Sequence, residues 1–301
     1  MSLRASLIQF VMKRTIKKQM EAMEDMAEMR RRMAEATAAP QLPAQVIAET
    51  VSAGGVPCEW LSTAASNADD VLIYLHGGGF VLGWETHRDI GWRLAEASGM
   101  RVLLVDYRLA PENPFPAALD DATTCYRWLL EQGIDPANIA LGGDSAGGGL
   151  CLSTLVNLKN LGLPLPNSCV LLSPWVDLTL SGDTLEMNAA IDPMLSRTIL
   201  ARMADAYLGN RDPRAPLASP LFADLRDLPP TLIQVGGNEV LLSDAQRIHE
   251  KLRSAGVNVQ LEEWPKMPHV FQVFAARIPE GKAAIAKLGS FLADRSNATH
   301  E

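Results

Sequence analysis

The first segment suited to chemistry is GDSAG at 143–147, a GxSxG motif. The motif follows a short apolar run at 139–141 and precedes a stretch with helical periodicity. A serine in that context occupies a tight strand-to-helix turn, where small neighbours permit a strained backbone and leave the hydroxyl exposed. The spacing therefore predicts that Ser145 is a catalytic nucleophile.

A second glycine-rich segment, HGGGF at 76–80, directly follows the apolar run 71–75. Adjacent glycines let a backbone approach a ligand closely and point several amide N–H groups at an oxygen that becomes negatively charged. We predict an oxyanion hole formed by the N–H groups of Gly77, Gly78 and Ala146. The chain contains no GxxxxGK[ST] motif, which disfavours a phosphate-binding loop.

A nucleophilic serine needs a base, and the chain has five histidines. His269 follows a strand pattern near 260–264 and precedes the last helical stretch, where the hydrolase chain order of nucleophile, acid and histidine places the base. Of the other four, His76 lies in the glycine-rich segment and His87 at a predicted helix start. His249 lies inside a predicted helix, and His300 is at the chain terminus. His269 is therefore the predicted base.

The acid that orients the imidazole should follow a strand between the serine and the histidine. Glu239 lies in the turn directly after the apolar run 232–235. Asp244 is the alternative, although its position also suits a helix N-terminus, where the helix dipole favours a negative charge. We predict a triad of Ser145, His269 and Glu239, with Asp244 as the competing acid.

The elements that must position these residues alternate along the chain. Short runs that are apolar throughout, typical of strands buried on both faces, occur at 71–75, 102–105, 139–141, 170–172 and 232–235. Helical stretches lie between and after them, at 88–97, 117–130, 148–158, 243–255 and 281–294. This alternation predicts an α/β fold with a mostly parallel central sheet and helices on both faces.

Two segments fall outside that alternation. Residues 3–36 show helical spacing without Gly or Pro and carry a methionine stripe at positions 20, 23, 26, 29 and 33. The stripe either packs on the body of the protein or helps to roof a pocket for apolar ligands. Pro40 and Pro43 mark a linker, and residues 181–220 are rich in proline without a strand pattern, which predicts a helical insertion.

Composition and charge limit the class of protein. The 301 residues are 48% apolar and 21% charged, a balance typical of a globular protein rather than a disordered chain. A net charge of −8 argues against nucleic acid or an anionic membrane as the main partner. The charge is uneven, because residues 1–40 carry eight basic and five acidic groups.

The remaining global signals concern cysteines and targeting. The four cysteines lack metal-ligand spacing and are expected to be buried, reduced thiols. No stretch resembles a membrane-spanning helix or a secretory leader. We therefore expect a cytoplasmic protein without a stable membrane anchor.

Four segments together resemble the hormone-sensitive-lipase-like family of α/β-hydrolase carboxylesterases. They are HGGGF at 76–80, DYRLAPENPFPAALDD at 106–121, GDSAGG at 143–148 and SPWVDL at 173–178. The resemblance implies the α/β-hydrolase fold, with a catalytic domain at 46–301. It also implies a cap made by the N-terminal segment 1–45 and the insertion 181–220.

The resemblance further implies hydrolysis of short to medium acyl carboxylic esters through an acyl-enzyme, with no cofactor and no metal. Relatives of this architecture often dimerise, so a homodimer is an expectation. The family commonly takes its acid from an Asp in a DPLxD motif. This chain departs from that pattern, because Glu239 stands in the Asp position and is followed by Val240 and Leu241.

Four residues are candidates for the substrate pocket. Phe80, Trp84 and Trp175 are expected to line it, although core packing is an equal alternative for Trp175. Asp144 lies beside the nucleophile, and the resemblance implies that it fixes the elbow or the glycine-rich loop rather than transferring protons.

The segment 106–121 contains carboxylates that could be mistaken for an acid–base pair. They are Glu112 and Asp120, and we expect both to be structural. Arg108 is expected to pair with them and hold this loop behind the active site.

Two other functions are compatible with this scaffold. An amidase or peptidase would use the same triad, and a small-ligand receptor would use the same pocket without turnover. Plant gibberellin receptors resemble this family but lack the catalytic histidine. The presence of His269 together with Ser145 and Glu239 favours an enzyme.

Overall fold

A computed structural model describes residues 1–36 and 41–294 of the chain. Eight strands form one sheet: β1 (Ile47–Ala53), β2 (Val56–Ser62), β3 (Asn67–Leu75), β4 (Met100–Val105), β5 (Ile139–Asp144), β6 (Ser168–Leu172), β7 (Thr231–Gly236) and β8 (Val259–Trp264). Their order across the sheet is β1-β2-β4-β3-β5-β6-β7-β8. In the described part of the chain, the pairs β1–β2 and β2–β4 are antiparallel and the other pairs are parallel, so the prediction of a mostly parallel α/β sheet is confirmed.

Helices precede and connect these strands. Their bounds are α1 (Leu3–Arg14), α2 (Ile16–Ala22), α3 (Met26–Ala36), α4 (Arg88–Ser98), α5 (Ala117–Glu131), α6 (Ala146–Asn160), α7 (Thr184–Met187), α8 (Arg197–Leu208), α9 (Leu242–Ser254) and α10 (Pro279–Ala293). Within the described part of the chain, no helix is both long and apolar enough to cross a bilayer.

Two apolar layers cover the sheet, one on each face. In β3, Val71, Ile73 and Leu75 share an apolar cluster with side chains of α5, α6 and α9. Leu72 and Tyr74 point the other way and join a cluster with α4 and α10. Successive side chains of a strand alternate between faces, so a strand covered on both sides needs an unbroken apolar run. This is why the apolar runs in the sequence correctly predicted the central strands.

The sequence analysis missed the two strands at the antiparallel edge of the sheet. β1 is mostly exposed, so its sequence lacks a continuous apolar run. β2 contains Pro57 and the buried Glu59, which interrupt its pattern. Glu59 is buried against Arg88, whose guanidinium donates to both carboxylate oxygens at 2.8 Å. The four cysteines are buried free thiols, as expected.

The one helix expected over 3–36 is wrong, because the segment is divided into α1, α2 and α3. Thr15 ends α1, and its hydroxyl donates to Val11 O at 2.9 Å. Met23 is extended and ends α2. Asp25 then caps α3, since its Oδ1 accepts the N–H groups of Ala27 and Glu28. Competing local hydrogen bonds of this kind are invisible to a periodicity test.

The N-terminal segment nevertheless packs on the body of the protein. Met20, Met26 and Met29 are buried in the larger apolar cluster. The insertion at 181–220 contains α7 and α8, and α8 contacts both α2 and α3. Pro40 of the expected linker lies outside the described residues.

Candidate active site

Ser145 lies on a strained turn between β5 and α6. Its backbone has φ 54° and ψ −122°, a region that residues with a side chain rarely adopt. Glycines flank the turn because there is no room for a side chain. A Cβ on Gly147 would overlap the carbonyl oxygen of Leu75, and one on Gly143 would lie 2.6 Å from it. The turn therefore presents the Ser145 hydroxyl at the carboxyl end of the sheet.

The structure brings Ser145, His269 and Glu239 together in a hydrogen-bonded series. Ser145 Oγ lies 2.9 Å from His269 Nε2, and His269 Nδ1 lies 2.8 Å from Glu239 Oε2. Glu239 follows β7 and His269 follows β8, so both loops leave the same edge of the sheet as Ser145. All three side chains are buried. This arrangement can remove a proton from the serine hydroxyl and stabilise the resulting imidazolium.

Two opposing effects act on the pKa of His269. Burial lowers the pKa, whereas the charge of Glu239 and its hydrogen bond to the ring raise it. The second effect wins, and the pKa of His269 lies above the ordinary value of 6.5. The imidazole is thereby a stronger base than an isolated histidine.

Ser173 is a site residue whose role the sequence analysis missed. Its Oγ donates to Glu239 Oε1 at 2.6 Å and accepts the N–H of Val270 at 3.2 Å. Gly236 N–H also donates to Glu239 Oε1. Ser173 therefore connects the acid loop to the histidine loop. Its position directly after β6 was the available signal, since parallel strands end at one edge.

The insertion supports the acid loop from the opposite side. Asp192 is fully buried, and its Oδ2 accepts the N–H of Val240 at 2.8 Å. Asn188 Nδ2 donates to the carbonyl of Glu239 at 2.7 Å. Lys17 of α2 donates to the Asp192 carbonyl at 3.0 Å. The N-terminal segment, the insertion and the acid loop are therefore connected, a relation that no sequence pattern indicated.

The carboxyl group of Asp244, the competing acid, bonds to the segment after β6. Its Oδ2 accepts the N–H groups of Val176 and Asp177, both at 3.1 Å. Burial raises the pKa of Asp244 to about 7. Its carboxyl group thus holds the segment after β6, while the carboxylate that meets the His269 ring is that of Glu239.

The glycine-rich loop requires a correction to the predicted oxyanion hole. The N–H of Gly77 donates to Asp144 Oδ1 at 3.1 Å, so this donor is already used within the protein. Gly78 and Gly79 are the glycines that line the cavity beside Ser145. Ala146 begins α6, where helix geometry leaves its N–H without an intrahelical acceptor. The structure therefore contradicts Gly77 as a predicted donor, while Gly78 and Ala146 stay predictions.

Asp144 anchors the loop from behind. Its Oδ1 also accepts the Tyr74 hydroxyl at 2.9 Å, and its Oδ2 lies 3.3 Å from His87 Nε2. Burial raises the pKa of Asp144. The charge of His87 and the hydrogen bonds from His87 and Tyr74 lower it by more, so the pKa lies below its ordinary value. Burial also lowers the pKa of the neighbouring His76 to about 3, which keeps that ring neutral. His87 precedes α4, as the sequence predicts, and it also lies on the cavity wall.

The cavity above Ser145 has a volume of about 220 Å³ and a largely apolar wall. Trp175 and Asp144 belong to this wall. Phe80 and Trp84 do not, and their expected placement is corrected. The Phe80 ring stacks on Tyr207 at 3.6 Å between centroids, and Trp84 packs against the cluster beneath the sheet. Both aromatic side chains are held by neighbours that are distant in sequence.

Methionines from both segments outside the alternating pattern line the same cavity. Met20 and Met33 come from the N-terminal helices, and Met194 and Met203 come from the insertion. Their flexible thioether side chains adapt to apolar groups of different shape. The methionine stripe therefore divides, because Met29 packs inside while Met20 and Met33 line the cavity.

Ion pairs in the segment 106–121 differ from the expectation. Arg108 pairs with Asp121 at 2.8 Å rather than with Glu112 or Asp120. Glu112 instead pairs with Arg30 of α3 at 2.8 Å, and the hydrogen bond from Arg30 lowers the pKa of that carboxyl group. Arg30 also donates to the carbonyl groups of Val81 and Ala110. Arg30 therefore ties the N-terminal segment to the end of the glycine-rich loop.

Known proteins resemble this chain in sequence. A model of the α/β-hydrolase fold family matches residues 72–273. An acetyl-hydrolase of Streptomyces hygroscopicus is 44% identical over 245 residues, which cover 81% of this chain and 82% of that protein. An esterase of Acinetobacter venetianus is 41% identical over 254 residues, which cover 84% of this chain and 83% of that protein.

Solved structures agree with this relationship. An esterase from the bacterial hormone-sensitive lipase family is 44% identical, with a TM-score of 0.91 over 97% of this chain and 98% of that one. EstE5, crystallised and soaked with p-nitrophenyl butyrate, is 39% identical, with a TM-score of 0.93 over 98% and 99% of the two chains. The chain belongs to the α/β-hydrolase family and, within it, to the carboxylesterases related to hormone-sensitive lipase. It is a carboxylic ester hydrolase.

The electrostatics of the site predict the titration of His269. Glu239→Gln removes the charge that raises the pKa of His269 but keeps the burial that lowers it. We expect the pKa of His269 to fall in this variant, as measured by NMR titration of the imidazole. Asp244→Asn is the matched control, because its carboxyl group does not contact the ring. A larger shift in the control than in Glu239→Gln would contradict the assigned contact.

Proposed function

We propose that this enzyme hydrolyses short to medium acyl esters through a Ser145–His269–Glu239 triad and an acyl-enzyme intermediate. The observation that carries the proposal is the hydrogen-bonded series from Ser145 Oγ through the His269 ring to Glu239 Oε2. Serine needs such a base, since its hydroxyl is a weak nucleophile at neutral pH.

In acylation, His269 Nε2 accepts the Ser145 proton as Oγ attacks the ester carbonyl carbon. The carbonyl oxygen becomes negatively charged and accepts the N–H groups of Gly78, Gly79 and Ala146. One such donor lowers the barrier by roughly 3 kcal/mol. Glu239 stabilises the imidazolium without taking its proton. The imidazolium then protonates the alkoxide, and the alcohol leaves.

Deacylation repeats these steps with water. His269 accepts a proton from water, the hydroxide attacks the acyl carbonyl, and the same three N–H groups bind the oxyanion. Transfer of the proton back to Ser145 Oγ releases the carboxylic acid. Every proton moves through His269 Nε2, so the ring must be neutral at the start of each half-reaction.

The size and polarity of the cavity favour modest apolar acyl groups. Its volume of about 220 Å³ lies below the roughly 300–1,000 Å³ typical of sites for drug-sized ligands. The names of two relatives agree with this range, since one is called an acetyl-hydrolase and EstE5 was soaked with p-nitrophenyl butyrate. Acyl chains from acetyl to about hexanoyl are the proposed substrates.

We also propose that the segments 1–45 and 181–220 together form a cap on a catalytic domain at 46–301. Met20 and Met33 support the first part of this proposal, and Met194 and Met203 support the second, because all four line the cavity. The contacts of α8 with α2 and α3 make the two parts continuous.

The reaction class is tested by paired substrates with the same acyl group. We expect hydrolysis of p-nitrophenyl butyrate to exceed that of butyryl p-nitroanilide by orders of magnitude, and paraoxon to label Ser145 covalently. Ser145→Ala should lose the label and at least about four orders of magnitude in kcat. Comparable turnover of the anilide would favour an amidase. Binding of a small apolar acid without any covalent label would favour a receptor.

The identity of the acid is tested by two isosteric variants. Glu239→Gln should lower kcat for p-nitrophenyl butyrate by about two to four orders of magnitude with little change in KM, because the imidazolium loses its partner. Asp244→Asn should keep kcat within a few-fold and mainly change the denaturation midpoint. The opposite ranking of the two kcat values would move the acid to Asp244.

The proposed cap is tested by truncating the methionines that line the cavity. Met33→Ala enlarges the apolar space, so we expect kcat/KM for octanoyl over butyryl esters to rise by about fourfold for each additional methylene buried. Met29→Ala is the matched control, because this buried side chain lies on the same helix without lining the cavity. An equal change of chain-length preference in both variants would argue against a direct role for Met33.

A further inference from the structure

Helix α1 has an apolar face that nothing in the described chain covers. Its inner face, with Ala5 and Met12, is buried. On its outer face, Leu3 is 90%, Leu7 64% and Phe10 55% exposed. A helix with apolar side chains on opposite faces is normally buried all round. The exposed face of α1 is therefore expected to meet an apolar partner.

The exposed apolar side chains of α1 lie on one face and near exposed apolar side chains of the insertion. Positions 3, 7, 10 and 11 are spaced by three and four residues and share one helix face. In the insertion, Met187 is 75% and Ile191 48% exposed. The two elements are neighbours, since Lys13 Nζ donates to Ala190 O at 2.5 Å. The N-terminal patch is defined here as Leu3, Leu7, Phe10, Val11, Met187 and Ile191.

The charge around the patch indicates its partner. Residues 1–20 contain five Lys or Arg side chains and no Asp or Glu, in a chain whose net charge is −8. Arg4, Lys13, Arg14 and Lys18 are exposed. The guanidinium of Arg14 lies 3.5 Å from the centre of the Phe10 ring, so cation and apolar surface are adjacent. Exposed apolar side chains with a cationic rim are characteristic of helices that lie on anionic lipid surfaces.

We propose that the N-terminal patch binds the enzyme reversibly to an anionic lipid surface. Two copies meeting through this patch would place their cations against each other, whereas a negatively charged bilayer complements them. The local concentration of cations outweighs the net negative charge of the whole chain, because charges beyond a Debye length of about 8 Å are screened. A helix of 12 residues inserts at the interface and does not span.

The position of the patch gives the interaction a function. α1 leads directly into α2, whose Ile16 and Met20 line the cavity above Ser145. Binding through α1 therefore places the cavity beside the lipid surface, where apolar esters concentrate. The enzyme would then act on esters that partition into membranes. The interaction itself is independent of the proposed triad.

The test is co-sedimentation of the full-length enzyme with vesicles. The vesicles contain phosphatidylcholine alone or with roughly one third phosphatidylglycerol. We expect binding to the anionic vesicles, little binding to the neutral ones, and loss of binding as salt increases. The double variant Leu7→Glu/Phe10→Glu should bind at least tenfold more weakly. Leu161→Glu is the matched control, because Leu161 is 48% exposed at the distant end of α6 and should leave binding unchanged.

A second pair of substitutions tests the electrostatic part. Arg4→Gln and Lys18→Gln should each weaken binding to anionic vesicles by about fivefold, as expected for one cation near a charged surface. All variants should hydrolyse p-nitrophenyl butyrate in buffer like the unaltered enzyme, which shows that the fold is intact. Binding is measured without turnover, so failure of the proposed triad would not affect this result.

Three results would overturn the proposal. The first is no binding of the unaltered enzyme to anionic vesicles. The second is equal loss of binding in Leu7→Glu/Phe10→Glu and Leu161→Glu. The third is a dimer in analytical ultracentrifugation that Leu7→Glu/Phe10→Glu dissociates, which would assign the patch to a second copy of this chain.

Discussion

The buried hydrogen bond between Glu239 and His269 is the constraint on which the rest of the site depends. A carboxylate removed from water is costly unless donors replace its hydration. Three donors do so here: the His269 ring, the Ser173 hydroxyl and the Gly236 N–H. Ser173 follows β6, Gly236 is the last residue of β7, and His269 lies in the loop after β8. The sheet must therefore hold β6, β7 and β8 in register for the carboxylate to be stable where the imidazole needs it.

A second buried carboxylate organises the opposite wall. Asp144 accepts hydrogen bonds from Tyr74 and from Gly77 N–H, and the next two glycines line the cavity beside the serine. Two hydrogen bonds connect the N-terminal helices to the surroundings of the site: Lys17 donates to the Asp192 carbonyl of the insertion, and Arg30 donates to the Val81 carbonyl after the glycine-rich loop. The packing of these segments and the geometry of the site therefore depend on each other.

Sequence patterns predicted the parts of the fold that depend on neighbouring residues. A strand buried on both faces must be apolar at every position, so β3 to β7 were visible as runs. The helix expected over 3–36 failed because the capping hydrogen bonds of Asp25 and the turn at Thr15 are local exceptions to periodicity. The sequence analysis missed β1 because this exposed edge strand lacks a continuous apolar run, and missed β2 because Pro57 and Glu59 interrupt its apolar pattern.

The sequence by itself determined the strained turn at Ser145, since only small neighbours allow that backbone, and it narrowed the base to His269 by chain order. It could not decide which groups these residues meet. The bond of Gly77 N–H to Asp144, the pairing of Glu112 with Arg30 and the stacking of Phe80 on Tyr207 are visible only in the tertiary structure. Backbone strain and apolar periodicity are encoded within a few residues, whereas the partner of a polar or aromatic side chain is set by whatever packing brings within about 4 Å of it.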